Sequence, residues 1–343
     1  MRARHEDDGM TTRFGLLGAG RIGKVHARAL RGDAGAALVA VADAVAPAAE
    51  ALAAEYGARV DSIEGIEADP AIDAVVICTP TDTHADLIER FARAGKAVFC
   101  EKPVDLSVQR VRDCLRVVEE TGATLMVGFN RRFDPDFRAV KAAIEAGHVG
   151  EVEMVTIASR DPGAPPVDYI KRSGGIFRDM TIHDFDMARW LLGEEPETVM
   201  AQGSVLTDRA IGEAGDYDSV NVILRTPSGR QAVITNSRRA TYGYDQRIEV
   251  LGSDGAVSAE NMREANIEIA TAKGFTRPPL LNFFMTRYVA AYAAEIAAFI
   301  QAVEQGTPTP TTGEDGLRAL VLADAALRSA AEGRAVRVSE ILG

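Results

Sequence analysis

The first part of the chain alternates short apolar runs with longer amphipathic segments. The runs are residues 13–18 (RFGLLG), 37–43 (ALVAVAD), 73–78 (DAVVIC), 96–100 (KAVFC) and 124–127 (TLMV). Each run has the length of a strand buried on both faces, and the segments between them have the spacing of surface helices. Strands that alternate with helices in this way predict a parallel, doubly wound α/β sheet with right-handed connections, the Rossmann arrangement.

The pattern changes after Glu151, where strand-like runs follow one another with only turns between them. These runs are residues 152–158, 198–205, 219–225, 231–237 and 247–252. Consecutive strands predict an α+β domain with a large, mostly antiparallel sheet, and long amphipathic helices are expected at 286–303 and 314–331. We therefore expect a first domain over 1–128, with a polar tail at 1–12, and a second domain over 129–343. The last helix is expected to pack back on the first domain.

A glycine-rich turn joins the first predicted strand to the first predicted helix. Gly18 permits a tight turn, Gly20 lets the backbone approach a pyrophosphate, and Gly23 lets the helix pack on the strand. Arg21 and Ile22 lie in the first helical turn, whose free N–H groups and positive dipole end favour phosphate. By itself the motif is also compatible with a simple turn between a strand and a helix.

The next predicted strand strengthens the nucleotide hypothesis because it ends in an acid. Asp43 follows Gly23 by twenty residues, where a carboxylate accepts hydrogen bonds from the adenosine ribose hydroxyls. The same charge repels a 2′-phosphate, and the following residues Ala44, Val45 and Ala46 supply no basic group. The pattern therefore predicts a dinucleotide site that prefers NAD to NADP.

Two later strand ends carry polar residues that should face the same cofactor. Ligands collect outside the carboxyl ends of parallel strands, so we assign Thr79, Pro80 and His84 to the cofactor site. Glu101 and Lys102 follow the next strand, and the Lys102 ammonium could bind a hydroxyl or a developing alkoxide. From the pattern alone, a solvated lysine at a strand end is the simpler interpretation.

Residues 173–192 (SGGIFRDMTIHDFDMARWLL) read as one helix with an acid and a histidine on one face. Asp179 and His183 are four residues apart, and Met187 and Trp190 continue that face, so the histidine should lie at the edge of a buried surface. A carboxylate that orients an imidazole is the usual construction of a general base. A core histidine with an ordinary salt-bridge partner is the alternative.

Composition narrows the class of protein. The chain has 343 residues, 47% hydrophobic and 26% charged, as expected of a globular protein with two domains. A net charge of −12 argues against nucleic-acid or anionic-membrane partners, and no apolar run approaches the length of a membrane span. Cys78, Cys100 and Cys114 form no CxxC pair, and the N-terminus lacks a signal-peptide core. These features predict a cytoplasmic protein.

Four of these motifs together resemble the Gfo/Idh/MocA family of NAD(P)-dependent oxidoreductases. They are GAGRIG at 18–23 with His26, CTPTDTHAD at 78–86, EKP at 101–103 and GFNRRFDP at 128–135. Residues 159–193 and 242–255 are similar to the inositol-oxidising branch of that family. The resemblance extends from Arg13 to the C-terminal helix.

The resemblance implies a catalytic set of Lys102, Asp179 and His183. In the family, the histidine removes the hydroxyl proton while a ring C–H gives its hydride to the nicotinamide. The aspartate helps to orient the site, and the lysine holds the substrate oxygen. The cofactor implied is NAD, with Glu101 and Lys102 beside it and no metal.

The implied substrate is a cyclic polyol, most of all myo-inositol oxidised to 2-keto-myo-inositol. Asn130, Arg160, Asp161 and Tyr242 match positions that would contact it. Some relatives have HRN where this chain has SRD at 159–161, which leaves scyllo-inositol, or sugars such as glucose and xylose, as alternatives. The resemblance also implies a homo-oligomer, a tetramer or a dimer, formed through the second domain.

Other nicotinamide enzymes fit the pattern less well. Short-chain dehydrogenases use a tyrosine with a lysine four residues later, and none of the seven tyrosines here has one. Zinc alcohol dehydrogenases need clustered cysteine and histidine ligands, which this chain lacks. A non-catalytic NAD-binding sensor remains a second class, against which the intact Lys102, Asp179 and His183 argue.

Overall fold

The computed structural model describes residues 11–342 and divides into two compact units. One comprises the chain up to Asn130 together with Val289–Leu317, and the other comprises Arg131–Tyr288 together with the residues from Arg318 onward. Residues 1–10 of the expected polar tail lie outside the described residues, and Thr12 already belongs to the first strand.

The first unit contains a six-stranded sheet in which every pairing is parallel. Its order is β3-β2-β1-β4-β5-β6. The strands are β1 (Thr12–Leu17), β2 (Ala36–Ala42), β3 (Arg59–Val60), β4 (Ala74–Ile77), β5 (Ala97–Glu101) and β6 (Leu125–Gly128). The helices between them are α1 (Arg21–Gly32), α2 (Ala46–Tyr56), α3 (Ile63–Ala68), α4 (His84–Arg93) and α5 (Val108–Thr121).

Burial explains why the first-unit strands are continuous apolar runs. All four residues of β4 are buried, as are all four of β6, because a parallel sheet is covered on both faces. Helix α1 instead buries only one stripe, which includes Val25, His26 and Leu30. The chain order reverses between β1 and β4, the switch point at which ligands bind in sheets of this kind.

The second unit contains a seven-stranded sheet with the order β12-β11-β7-β10-β9-β8-β15. Its strands are β7 (Val152–Arg160), β8 (Thr198–Ser204), β9 (Ser219–Arg225), β10 (Gln231–Ser237), β11 (Asp245–Gly252), β12 (Gly255–Ala259) and β15 (Val336–Arg337), and β13 (Ile269–Thr271) pairs with β14 (Gly274–Thr276) in a separate hairpin. The pairing of β7 with β10 is parallel, and the other pairings of the large sheet are antiparallel. The predicted fold class is confirmed.

The remaining helices are α6 (Pro135–Glu145), α7 (Val167–Ser173), α8 (Gly175–Asp179), α9 (Thr181–Leu192), α10 (Arg209–Glu213), α11 (Phe284–Arg287), α12 (Val289–Gln305), α13 (Gly313–Glu332) and α14 (Ser339–Leu342). In the first unit α12 packs against α1. In the second unit α9 packs on β7 and β10, so one face of the large sheet is covered by this helix. The packing of the last long helix on the first domain stays a prediction.

Alternation along the second-unit strands follows from this one-sided cover. In β9 the side chains of Val220, Val222 and Leu224 are buried, while those of Asn221 and Arg225 point outward. The buried face also carries polar residues, which lie in register across three neighbouring strands: Asn236 of β10 pairs with Ser159 of β7, which pairs with Gln246 of β11. This row lies under α9.

Candidate active site

The glycine loop has the geometry that a pyrophosphate site requires. Gly18 has φ +97°, and a Cβ there would lie 2.5 Å from the Cys78 carbonyl oxygen, so no other residue fits. A Cβ at Gly23 would lie 1.9 Å from the Gly18 oxygen, which explains the close packing of α1 on the loop. A Cβ at Gly20 would meet no atom within 4 Å. The space beside Gly20 is therefore open for a ligand.

The start of α1 and the end of β2 complete this cradle. The N-cap residue of α1 is Gly20, which has no side chain with which to cap the helix, so the first N–H groups of α1 can bind an anion. Asp43 is partly exposed, and its two carboxylate oxygens accept hydrogen bonds from the Ala19 N–H at 2.6 Å and the Val45 N–H at 2.7 Å. These bonds fix the carboxylate at the rim of the loop and leave it lone pairs for ribose hydroxyls. The residues present fit NAD.

The residues assigned to the end of β4 have two different environments. Thr79 is partly exposed and Pro80 is exposed, as a lining position requires. His84 is only 2% exposed, and its Nδ1 and Nε2 lie 2.8 Å from the carbonyl oxygens of Pro103 and Thr79. Both ring nitrogens of His84 are thus engaged within the protein. Its contact with the cofactor stays a prediction.

The end of β5 carries Glu101 and Lys102, which also differ. Glu101 is buried, with its Oε1 2.6 Å from Nε2 of the fully buried His26. Lys102 is partly exposed, and its peptide bond to Pro103 is cis. Lys102 therefore directly follows Glu101, the last residue of β5, whose side chain is buried.

The expected single helix over 173–192 is wrong. Helix α8 ends at Asp179 and α9 begins at Thr181, with Met180 between them. The Thr181 hydroxyl donates its proton to Asn236 Oδ1 at 2.6 Å, and the Ile176 carbonyl oxygen lies 3.3 Å from the same hydroxyl. Asp179 and His183, both partly exposed, thus lie at the end of one helix and in the first turn of the next.

Asp179 is held by two other side chains of the second unit. The Tyr169 hydroxyl donates a hydrogen bond to its Oδ1 at 2.9 Å, and Nη1 of Arg238 lies 3.7 Å from its Oδ2. Arg238 is 1% exposed and also reaches Asp216, with its Nη2 3.6 Å from Oδ2 of that residue. A buried guanidinium is therefore shared between two carboxylates, one of which is the predicted catalytic aspartate.

Helix α9 is anchored by two buried ion pairs that the sequence did not reveal. Arg131 pairs with Asp184, and Arg132 forms a bidentate pair with Asp186 at 2.8 and 2.5 Å. From sequence alone, the cluster of Arg131, Arg132, Arg138 and Lys141 is most simply a solvated helix face. For Arg131 this interpretation is wrong, because Arg131 is 5% exposed and Asp184 is fully buried. Asp184 directly follows His183 and Asp186 lies three residues after it, so these pairs hold the first part of α9, which carries His183.

The buried row beneath α9 belongs to the same network. Nη2 of Arg131 donates to the Ser159 hydroxyl at 3.1 Å, which donates to Gln246 Oε1 at 3.1 Å. The Asn236 amide donates to Asp184 Oδ2 at 2.8 Å. Burial raises the pKa of Asp184, although Arg131 opposes this shift. The network lies within the second unit, and its hydrogen bonds fix the position in which α9 packs on the sheet.

The predicted substrate positions are only partly brought together. Nη1 of Arg160 donates to the Tyr242 hydroxyl at 2.8 Å, and that hydroxyl donates to the buried Asp245 at 2.6 Å. Asn130 is 3% exposed, and among residues 11–342 its amide nitrogen has no hydrogen-bond partner. Asp161 follows β7, and its backbone bonds to Ser237 and Ala240.

The Asp161 carboxyl has a perturbed acidity. Burial raises its pKa to about 7, and the neighbouring Asp179 and Asp184 carboxylates add to the shift against the opposing charges of Arg238 and Arg131. The side chain therefore exchanges a proton near neutrality. Such a carboxyl can donate a hydrogen bond as well as accept one.

A parallel sheet with a glycine loop at its switch point and an acid after its second strand defines a dinucleotide-binding oxidoreductase. Comparison with protein families agrees. Residues 12–129 match an oxidoreductase family with an NAD-binding Rossmann fold, and residues 137–258 match the GFO/IDH/MocA C-terminal domain. The chain belongs to the Gfo/Idh/MocA oxidoreductase family. The predictions of family, fold and an NAD-binding domain are confirmed.

Individual relatives extend over nearly the whole chain. An inositol 2-dehydrogenase of Rhizobium meliloti (strain 1021) is 71% identical over 330 residues, which are 96% of this chain and 100% of the relative. The crystal structure of a myo-inositol dehydrogenase from Corynebacterium glutamicum is 43% identical with a TM-score of 0.92, covering 96% of this chain and 99% of that one. A scyllo-inositol dehydrogenase from Lactobacillus casei, solved with NAD(H) and scyllo-inositol, is 28% identical with a TM-score of 0.90 and the same coverage.

Membrane spans and metal sites are the next features of the described part of the chain. Among residues 11–342, no helix is long and apolar enough to cross a bilayer. The same residues contain no group of three or more histidine, cysteine or acidic side chains arranged to hold a metal ion. The metal-free mechanism inferred from the family stays a prediction.

Proposed function

We propose that this protein is an NAD-dependent dehydrogenase that oxidises a secondary hydroxyl of a cyclic polyol. The first substrate proposed is myo-inositol, converted to 2-keto-myo-inositol. The observation that carries the proposal is the 71% identity over 96% of the chain to a relative named inositol 2-dehydrogenase. The open glycine cradle and the retained Lys102, Asp179 and His183 support it from the structure.

Cofactor binding is proposed for the first unit. Gly18, Gly20 and Gly23 with the N-terminus of α1, including Arg21 and Ile22, would hold the pyrophosphate, and Asp43 would hold the ribose. Thr79, Pro80, His84, Glu101 and Lys102 are the further cofactor positions proposed from sequence. When bound, NAD supplies an acceptor for the hydride that leaves the substrate carbon.

His183 is proposed as the proton acceptor for the substrate hydroxyl. It is partly exposed in the first turn of α9, which two buried ion pairs hold in place. Asp179 orients the reacting groups, and its own position is set by Tyr169 and Arg238. Lys102 holds the substrate oxygen and stabilises the negative charge that develops on it as the proton leaves.

Substrate recognition is proposed for Asn130, Arg160, Asp161 and Tyr242. A ring of hydroxyls needs groups that both donate and accept hydrogen bonds. Asp161 meets this need because burial raises its pKa to about 7. Tyr242 is 53% exposed and linked to Arg160, so its hydroxyl is oriented but still accessible.

The alternative substrates belong to the same reaction class. The structural similarity to a scyllo-inositol dehydrogenase favours scyllo-inositol as the second candidate. Residues 159–161 are SRD in this chain, whereas some relatives have HRN. This difference keeps scyllo-inositol open as a substrate, because Arg160 and Asp161 are proposed substrate contacts. Glucose, xylose or another sugar remains a further alternative, and a non-catalytic NAD sensor is the least supported one.

A homo-oligomer in the cytoplasm is proposed as the working form. The face of the large sheet away from α9 carries exposed apolar side chains, Met154 and Ile223 at 46% and Leu251 at 36%. Met154 and Leu251 are cross-strand neighbours on β7 and β11, and Ile223 lies on β9 of the same sheet. Such a face supports self-association into a dimer or tetramer.

The experiment is an assay of NADH formation by the full-length protein with myo-inositol, scyllo-inositol, D-glucose, L-glucose and D-xylose, each with NAD and NADP. We expect the highest kcat/KM for myo-inositol with NAD. A preference for scyllo-inositol or a sugar would move the substrate and keep the reaction class. NAD binding without turnover of any member would favour the sensor.

The same assay tests the proton acceptor. His183→Ala should lower kcat by about 100-fold or more, because a positioned base typically contributes about 10²–10⁴-fold. His148→Ala is the matched control, since His148 is exposed just beyond α6. Undiminished turnover by His183→Ala would refute its proposed role.

A further inference from the structure

The turn that presents Lys102 is tied to the protein interior on both sides. The residue before it, Glu101, is 8% exposed, and the residue after it, Pro103, accepts a contact through its carbonyl oxygen. Each of these neighbours meets a buried histidine, His26 at Glu101 and His84 at Pro103. The two histidines come from different helices of the first unit, α1 and α4.

The tie on the Glu101 side is a short, fully enclosed contact. His26 is 0% exposed, and its Nε2 lies 2.6 Å from Glu101 Oε1. The rings of Phe99 and Tyr292 meet the imidazole edge-on, with centroids 4.9 and 5.4 Å away, so the ring cannot turn freely. On its far side the carboxylate faces Gly128, where a Cβ would lie 3.2 Å from it. The Glu101 side chain is therefore held in one position by its neighbours.

The tie on the Pro103 side spans two strand ends. His84 Nδ1 lies 2.8 Å from the Pro103 carbonyl oxygen, and Nε2 lies 2.8 Å from the Thr79 carbonyl oxygen. A carbonyl can only accept, so the Pro103 contact is a hydrogen bond when Nδ1 carries a proton. A neutral ring has one proton, so with that proton on Nδ1 it joins α4, which carries His84, to the turn after β5, and the bare Nε2 faces the Thr79 carbonyl oxygen without a hydrogen bond.

We propose that His26 and His84 are positioning residues that fix the backbone on either side of Lys102 and so aim its ammonium. This inference rests on the proposed function, in which Lys102 holds the substrate oxygen. This role requires no contact of either histidine with the substrate, and it is separate from the cofactor contact proposed above for His84. A small displacement of a substrate-holding group is enough to slow a reaction by one or two orders of magnitude.

The two nitrogens of each ring allow a crossed test, because asparagine places its amide near Nδ1 and glutamine places its amide near Nε2. At His84 the bond to Pro103 uses Nδ1, so His84→Gln should lower kcat about 10-fold and His84→Asn should lower it clearly less. At His26 the bond to Glu101 uses Nε2, so His26→Gln should keep activity and His26→Asn should lose about 10-fold.

The crossed pattern separates positioning from general damage. Glutamine is the better helix former at either position, so helix propensity cannot favour glutamine at one site and asparagine at the other. Thermal unfolding and NAD affinity, measured on all four full-length variants, should not follow the crossed order. Equal loss of kcat in both variants of a histidine, or a crossed pattern confined to NAD affinity, would overturn the proposal.

Lys102→Met in the same series distinguishes this inference from the proposed function. Loss of kcat in Lys102→Met with no further loss in Lys102→Met/His84→Gln would show that His84 acts through the lysine. Full turnover by Lys102→Met would instead refute the lysine's proposed role. Loss in Lys102→Met without the crossed pattern would overturn the positioning inference alone.

A second readout needs no activity. In the full-length protein with ¹⁵N-labelled histidine, we expect exchange-protected protons on Nε2 of His26 and on Nδ1 of His84. The signals are assigned by their loss in His26→Gln and His84→Asn. A bare Nδ1 on His84 or a bare Nε2 on His26 would overturn the proposal.

Discussion

Replacing Arg131 with methionine tests whether the buried network under α9 determines the stability of the second unit. The guanidinium is 5% exposed and pairs with Asp184, which is fully buried. Methionine fills a similar volume but leaves the carboxylate with a neutral donor, the amide of Asn236, in place of a positive charge. Breaking a buried pair by removing one partner typically costs about 3–5 kcal/mol. We expect a loss of about 4 kcal/mol at pH 8.

The pH dependence of this loss has a definite sign. Burial already raises the pKa of Asp184 with Arg131 present, and removing the positive charge raises it further. A carboxyl whose pKa is raised in the folded state costs stability as pH rises and ceases to cost stability once it is protonated. The difference between wild type and Arg131→Met should therefore be largest at pH 8 and shrink toward pH 5.

The assay is urea unfolding followed by fluorescence, because the chain has one tryptophan and that residue, Trp190, lies on α9. Arg138→Met is the matched control, since Arg138 is exposed on α6, and its free energy of unfolding should change by less than about 0.5 kcal/mol. Adding Asp184→Asn to Arg131→Met should recover part of the loss by removing the unpaired charge. A loss below about 1 kcal/mol, or one that is equal at pH 5 and pH 8, would refute the reasoning.

Two further predictions concern acids of the candidate site. Asp43→Ala should reduce the preference for NAD over NADP in kcat/KM by about 10-fold or more, since it removes both a ribose acceptor and the charge that repels a 2′-phosphate; unchanged discrimination would contradict the role of Asp43. Burial raises the pKa of Asp161 to about 7, above the ordinary value of about 3.9, so its ionisation should cost the folded wild type stability as pH rises from about 4 through about 7. Asp161→Asn should remove this cost, giving a gain of about 2 kcal/mol at pH 8 relative to pH 5 by urea unfolding, and parallel stability curves would contradict the prediction.

The parts of this fold that the sequence predicted well are those set by local periodicity. The buried strands β4 and β6 show as continuous apolar runs, and β9 shows strict alternation, because burial on two faces or one leaves a direct signature. The glycine loop could be predicted from sequence equally well, since the positive φ of Gly18 and the lack of space for a Cβ at Gly23 exclude other residues. Each signature depends only on residues that are close in sequence.

The errors arose where contacts between distant residues decided the structure. The period of 173–192 is helical on both sides of Met180, and beside the break the Thr181 hydroxyl bonds to Asn236, which is 55 residues away. Arg131 looks like a surface residue until Asp184 is placed opposite it by the packing of α9 on the sheet. No window of sequence contains both members of either pair.

This difference separates two kinds of residue in the candidate site. Lys102, Asp179 and His183 were predicted from the family resemblance, since the residue pattern alone left a solvated lysine and a core histidine as alternatives, and their roles stay predictions. The residues that support α9 have no distinctive type or spacing in the sequence. They are identified only by the strand register, which brings Asn236, Ser159 and Gln246 from three strands into one row. A relative with the same predicted catalytic residues but a different row would carry the same chemical groups, with α9 packed differently on the sheet. Differences in substrate preference within the family should therefore be sought in the supporting row as well as in the residues that touch substrate.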